Sequence, residues 1–105
     1  MAKVDVQWGA RLKQARLAAG LSQKQLGIEA GIDQFVASTR INRYELGVHK
    51  PDFLTAQNLA KVLELPVAYF YAIEDDVAEV IWGYSRAKSV DRLKIKRMIS
   101  DLSLK

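Results

Sequence analysis

Apolar residues recur along this chain at the three- and four-residue spacing typical of α-helices, and short polar runs containing glycine or proline separate the segments. The first segment predicts a helix from about Val6 to Ala19, with Asp5 as its N-cap and Gly20 as a left-handed residue after its end. Its core-facing positions are Trp8, Leu12 and Ala15. The pattern therefore places one apolar face of this helix against the rest of the chain.

Four shorter helical segments follow the first one. Their predicted ranges are 22–30, 34–45, 53–64 and 67–71. Three polar residues stand where they can cap the N-termini of these helices, namely Ser22, Asp33 and Asp52. The core positions predicted for the third and fourth helices are Val36 or Ala37, Ile41, Tyr44, Leu59, Ala60 and Leu63.

The last part of the chain, residues 77–105, predicts one or two further helices with a break within 84–89, where Ser89 is a candidate N-cap. The acidic run 74–76 is expected to interrupt the helical pattern before them. The sequence contains no strand pattern and no internal repeat. The predicted fold class is therefore all-α, with a compact five-helix domain at 6–73 and a C-terminal helical extension at 77–105.

Composition excludes several classes of protein. The 105 residues, 50% of them apolar and 27% charged, are enough for one globular domain. No apolar run reaches the roughly 18 residues of a membrane span, and no apolar signal-peptide core follows the N-terminus, so we expect a cytoplasmic protein without membrane contact. With no cysteine and only one histidine, His49, we predict no metal site, no cofactor and no enzymatic activity.

Charge is segregated along the chain. Residues 1–50 hold eight Lys or Arg and four Asp or Glu, which gives +4. Residues 51–76 give −4, from one lysine and five acids, and residues 77–105 return to +4, from seven basic and three acidic residues. A basic first half is typical of proteins that bind polyanions, although an unevenly charged solvated surface is the alternative.

One set of residues recurs together at the spacing of a known domain: Arg16, Gly20-Leu21-Ser22-Gln23, Leu26, Ala30-Gly31, Ile41, Arg43-Tyr44-Glu45-Leu46-Gly47, Pro51, Leu59-Ala60, Leu63, Pro66-Val67 and Tyr69-Phe70. On these residues the stretch 8–72 resembles the phage-repressor type of helix-turn-helix domain, the XRE family of lambda repressor and Cro. The resemblance implies that the second helix of the pair, here the third of the chain, lies in the major groove of DNA.

The chain departs from the family pattern before this third helix. Gly31 and Glu45 are fourteen positions apart, which is about four residues longer than the pattern. The extra residues lie within 32–36 and lengthen either the turn or the first turn of the helix. Phe35, in this insertion, is predicted to pack on the second helix, and contact with a thymine methyl group is the alternative.

Four residues of the third helix are predicted to contact base edges. With Ile41 pointing inward, the 100° rotation per residue places Thr39 and Arg43 near the opposite face and Ser38 and Asn42 beside them. Ser38, Thr39 and Arg43 also stand at base-contacting positions of the family. Arginine pairs with guanine, asparagine with adenine, and a threonine methyl group contacts thymine. Ser38 and Thr39 could instead be ordinary polar surface residues.

Further residues are predicted to contact phosphates or to support the helices. By family position, Gln23 contacts a phosphate at the start of the second helix. Three cations are weaker phosphate candidates, namely Lys24, Arg40 and Lys50. The resemblance implies that Arg16 and Glu45 form an ion pair between the first and third helices.

The extension 77–105 carries a large apolar cluster, Val80-Ile81-Trp82 with Tyr84. The cluster either packs back on the first helix or forms a dimer interface, and a homodimer on a near-palindromic operator is the favoured interpretation. The predicted function is a small transcriptional regulator, most simply a repressor, in a bacterial or phage-encoded, nucleoid-associated setting. The alternative is an antitoxin-like module that binds DNA and uses its tail to bind a protein partner.

Overall fold

The computed structural model describes residues 3–103, with side chains from residue 6 onward, and leaves the end of the predicted extension, 104–105, outside the described residues. The described chain forms seven helices and no strand, as the all-α prediction requires. The helices are α1 (Lys3–Ala18), α2 (Gln23–Glu29), α3 (Ala37–Glu45), α4 (Phe53–Val62), α5 (Ala68–Tyr71), α6 (Asp75–Arg86) and α7 (Ser89–Ser103).

Local capping explains where α2 and α4 begin. The Ser22 hydroxyl accepts a hydrogen bond from the Gln25 backbone N–H at 3.0 Å, and the Asp52 carboxylate accepts one from Thr55 at 2.8 Å. Each bond satisfies an N–H group that the first turn of a helix leaves free. Gly20 has φ +73°, so it ends the first helix in the predicted left-handed conformation.

Three predicted helix starts are wrong. α1 begins at Lys3, so Asp5 lies inside the helix and is not its N-cap. α3 begins at Ala37, because the Asp33 carboxylate accepts the Phe35 N–H at 2.8 Å within a turn and is not available to cap a helix. Ser89 is the first residue of α7, since the Arg92 N–H donates to the Lys88 carbonyl.

The fourth and sixth helices also differ from prediction. α4 ends at Val62, and Glu64 takes a left-handed φ of 56° before the chain turns toward Pro66. The acidic run 74–76 does not only interrupt the helical pattern, because α6 begins inside it at Asp75. Acidic residues in the first turn are favourable there, since they lie near the positive end of the helix dipole.

The core lies among α1 to α5. Its largest fully buried side chains are Trp8, Leu12, Leu26, Ile41, Leu59 and Phe70. The rings of Trp8 and Phe70 lie 5.1 Å apart and join α1 to α5. Leu59, Ala60 and Leu63 are buried, as the helical pattern of α4 predicts.

The C-terminal extension divides between packed and exposed helices. Trp82 of α6 packs edge-on against Tyr69 of α5 with ring centroids 5.1 Å apart, and Ala78 is buried. Val80 of the predicted apolar cluster is 59% exposed, and α7 has no buried residue. The apolar cluster therefore joins the core only in part. None of the described helices is long and apolar enough to cross a membrane.

Candidate nucleic-acid interface

The α2–turn–α3 unit forms the centre of the candidate site. Gly31 ends α2 with φ +92°, a conformation that favours glycine. The chain then passes through a turn at residues 34–36 before α3 begins. Ala37, Ile41 and Tyr44 are buried and hold α3 against the core. This stripe determines which side chains of α3 face solvent.

The predicted base-contacting residues lie on the solvent side of α3. Ser38, Thr39, Asn42 and Arg43 are all exposed, whereas Ile41 between them is fully buried. The structure thus brings the four predicted side chains onto one accessible surface. Hydroxyl, amide and guanidinium groups on a short helix are the chemistry that reads base edges in a major groove.

Gln23 is partly committed to protein contacts. Its side-chain amide nitrogen lies 3.1 Å from the Asn42 amide oxygen and 3.0 Å from a Glu45 carboxylate oxygen. Gln23 is half-buried at the start of α2 and links that helix to the exposed face of α3. The sequence pattern did not predict this link, because the two amides are 19 positions apart and belong to different helices.

Arg16 and Glu45 form a buried ion pair behind this face. Arg16 Nε lies 2.6 Å from one Glu45 carboxylate oxygen and Nη2 lies 3.1 Å from the other, which is the bidentate geometry. The side chains are only 10% and 4% exposed. The hydrogen bond to Glu45 raises the pKa of Arg16 above its ordinary value. It joins α1 to the end of α3.

The remaining predicted phosphate contacts lie at the edges of the α2–α3 face. Lys24 is exposed in the first turn of α2. Arg40 donates to the Tyr44 hydroxyl at 2.8 Å and lies over its ring. Arg40, Arg43 and Lys50, together with His49, line a groove of 330 Å³ that continues to the capped start of α4. A groove with this charge suits an anionic backbone.

The inserted turn exposes an aromatic ring. Phe35 is 86% exposed, so the prediction that it packs on α2 is wrong. The turn carries the extra residues outside the helices, since Asp33 bonds to the backbone N–H groups of both Phe35 and Val36. The insertion therefore lengthens the turn and leaves α3 starting at Ala37.

Sequence reasoning missed a second buried cation. Arg11 is 6% exposed, and its Nε donates to the Ala72 carbonyl at 2.8 Å while Nη2 lies 3.1 Å from the Asp75 carboxylate. These bonds join α1 to the start of α6. Arg11 stands three positions after Trp8 and four before Ala15, beside the apolar face of α1, and that spacing was the signal for its burial. Its partner 64 positions away gives its structural role. Within the described residues, no group of histidines and acids could hold a metal ion.

Comparisons with known proteins agree with this geometry. A family model described as Helix-turn-helix matches residues 12–70. The crystal structure of the transcriptional regulator BswR superposes with a TM-score of 0.84 at 45% identity, over 89% of this chain and 92% of that one. Two proteins named as uncharacterized HTH-type transcriptional regulators, from Sinorhizobium medicae (strain WSM419) and Rhizobium meliloti (strain 1021), are each 31% identical over 68 residues.

The shared region covers 65% of this chain and 46% of the two curated relatives, so the chain spans about half of their length. The family-model match at 12–70 includes the α2–turn–α3 unit. The family model alone covers more than half of the chain. This chain therefore belongs to the XRE-type helix-turn-helix family, whose members bind DNA and regulate transcription.

Proposed function

We propose that this protein is a repressor that recognises a specific DNA sequence by placing α3 in the major groove. The observation that carries the proposal is the exposed row of Ser38, Thr39, Asn42 and Arg43 opposite buried Ile41. A domain that occupies a promoter sequence in this way would block RNA polymerase. Such a regulator would act in the bacterial cytoplasm, where the chromosome lies.

Three residues of the α3 surface receive a role from their chemistry. Arg43 would pair with guanine, Asn42 with adenine, and the Thr39 methyl group would contact a thymine methyl group. Because the Asn42 amide oxygen already accepts from Gln23, the bond would hold the Asn42 amide in one orientation before DNA binds. Gln23 would then support base recognition through Asn42, in addition to the phosphate contact predicted from its position.

The predicted phosphate contacts surround the exposed base-contacting residues of α3. Lys24 would approach the backbone from the start of α2, and Arg40 and Lys50 would approach it from the groove beside α4. Phosphate contacts carry no sequence information, but they position the helix and make binding sensitive to salt. Residues 6–73 would form the DNA-binding unit, and residues 77–105 would serve assembly.

We infer that the assembly is a homodimer formed through α6 and α7. Ile95, Met98, Ile99 and Leu102 recur at i, i+3, i+4 and i+7 on α7, and all but half-buried Ile95 are more than half exposed. Val77 and Val80 add exposed apolar surface on α6. Covering these faces with a second copy removes them from water and gives the two-fold symmetry that a palindromic operator requires.

Selection from a random pool of DNA duplexes at moderate salt tests the proposed function. We expect an inverted repeat whose half-sites are centred about one helical turn, or ~34 Å, apart. Binding without sequence enrichment, lost as salt rises, would contradict sequence recognition and leave only charge attraction.

The exposed faces of α6 and α7 also favour a second candidate function, an antitoxin-like module that binds a different protein through its tail. Sedimentation equilibrium on the free protein separates the two candidates. A dimer supports the repressor. A monomer whose α7 is disordered in solution, as judged by amide exchange, would favour the partner-binding module instead.

A further inference from the structure

The inserted turn before α3 carries the most exposed large apolar side chain among the described residues. Phe35 is 86% exposed, and Val36 beside it is 43% exposed. The other residues exposed between 33 and 40 are polar: Asp33, Gln34, Ser38, Thr39 and Arg40. The exposed phenyl ring contributes no hydrophobic stabilisation to the fold of this chain, because folding does not remove it from water.

The backbone that carries this ring is firmly held. Asp33 accepts the Phe35 N–H through its carboxylate at 2.8 Å and the Val36 N–H through its carbonyl at 3.0 Å. The Ile32 N–H donates to the Gly27 carbonyl at 2.9 Å, and Ala37 is fully buried against α2. The ring therefore projects from a turn that is anchored at both ends to the helix pair.

The position of the turn determines what the ring can meet. In helix-turn-helix proteins the N-terminal end of the recognition helix contacts base edges, and Phe35 stands two residues before α3 begins. The thymine 5-methyl group is the apolar feature of the major groove, and a phenylalanine ring is one of the side chains that contacts it. Asp33, the acid two positions before Phe35, has its carboxylate turned to the Phe35 amide.

We propose that Phe35 is a specificity-determining residue that recognises the 5-methyl group of a thymine in each half-site, at a base pair beside those contacted from α3. The inference rests on the proposed function, since it requires α3 to lie in the major groove. It gives the inserted turn a role that the family pattern does not contain.

Replacement of thymine by deoxyuridine removes only the methyl group and tests the contact directly. The experiment takes the selected duplex and exchanges each thymine in turn, then measures the dissociation constant of the wild-type protein. At the thymine that Phe35 contacts in each half-site, which is distinct from the thymine proposed for Thr39, we expect affinity to fall about fourfold, the factor that corresponds to one methyl group returned to water. Phe35→Ala should weaken binding to the thymine duplex and should not respond to that exchange.

Phe53→Ala is the matched control, because it removes another exposed phenylalanine ring, 57% exposed, from the start of α4. It should keep the wild-type response to deoxyuridine. A wild-type protein that selects a sequence but keeps the same affinity at every exchange would overturn the inference, and the thymine contact proposed for Thr39 with it, while sequence recognition by α3 would stand. A Phe35→Ala variant that loses as much affinity as the wild type when thymine is exchanged for deoxyuridine would also overturn the inference. A protein that selects no sequence would overturn the proposed function itself, and the role of Phe35 with it.

Discussion

The backbones of Gly27 in α2 and Ala37 in α3 lie so close together that a β-carbon added to Gly27 would stand 2.7 Å from the β-carbon of Ala37. Ala37 is the first residue of α3 and is fully buried. The contact therefore sets how α2 packs across the helix proposed to read DNA. A change at Gly27 acts on the angle of α3 as well as on stability.

Gly27→Ala is expected to destabilise the protein by about 1–3 kcal/mol. The new methyl group would meet the β-carbon and the backbone of Ala37, which cannot rotate away, so one of the two helices must shift. Urea unfolding followed by circular dichroism measures the change. Gly83→Ala is the control, since a β-carbon there has open space and alanine favours a helix by about 1 kcal/mol. Equal stabilisation by both variants would contradict the close approach.

Removal of Glu45 should leave Arg16 as an uncompensated buried charge. Because the two side chains are 10% and 4% exposed, we expect Glu45→Ala to cost about 3–5 kcal/mol in the free energy of unfolding. The second ion pair provides a control, since the Asp75 carboxylate is 91% exposed and Arg11 keeps the Ala72 and Ile73 carbonyls as acceptors, so Asp75→Ala should cost less than Glu45→Ala. Similar losses in the two variants would argue against a buried pair between α1 and α3.

Base and phosphate contacts are expected to respond differently to substitution. Arg43→Ala should weaken specific binding by about 1–3 kcal/mol and relax the preference at one base pair, because a bidentate contact to guanine is lost. Lys50→Ala should reduce the salt slope by about one while the preferred sequence stays the same. Repeated selection and salt titration measure both effects. Unchanged selection by Arg43→Ala would remove it from the base-reading set.

The Asp52 cap makes part of the stability of α4 dependent on pH. Its hydrogen bonds from Thr55 hold the pKa of Asp52 below its ordinary value of 3.8. The stabilisation is therefore full above that pH and is lost as the pH falls through the lower pKa of the folded protein.

The melting temperature of the wild type should exceed that of Asp52→Ala near neutral pH, and the difference should shrink on acidification below about pH 4. Ser22→Ala removes an uncharged cap from α2, so its effect should not follow that titration. A difference for Asp52→Ala that stays constant across this range would show that the carboxylate charge is not part of the cap.

Ile99→Glu is expected to separate the proposed dimer, because it places a charge in the middle of the exposed apolar stripe of α7. Sedimentation equilibrium should then give the monomer mass. Ser100→Glu adds the same charge on the other side of the helix and should leave the dimer unchanged. A dimer that survives Ile99→Glu would place the interface elsewhere.

Sequence alone was sufficient for features that depend on neighbours a few positions away. The caps at Ser22 and Asp52, the left-handed end at Gly20 and the buried stripe around Ile41 all follow from hydrogen bonds and periodicity within one or two helical turns. The same helical periodicity predicts that the α3 residues on the side away from Ile41, Arg43 among them, face solvent. Family resemblance supplied the ion-pair partners Arg16 and Glu45, which no local rule connects.

Only the tertiary structure decided features that join distant parts of the chain. Arg11 is buried because its partners lie at 72–75, and Gln23 meets Asn42 because two helices cross there. Phe35 projects outward since the Asp33 carboxylate bonds within the turn and not to α3. The sequence shows which side chains are apolar and would gain free energy by leaving water. Only the packed chain determines which of them find another apolar surface to contact.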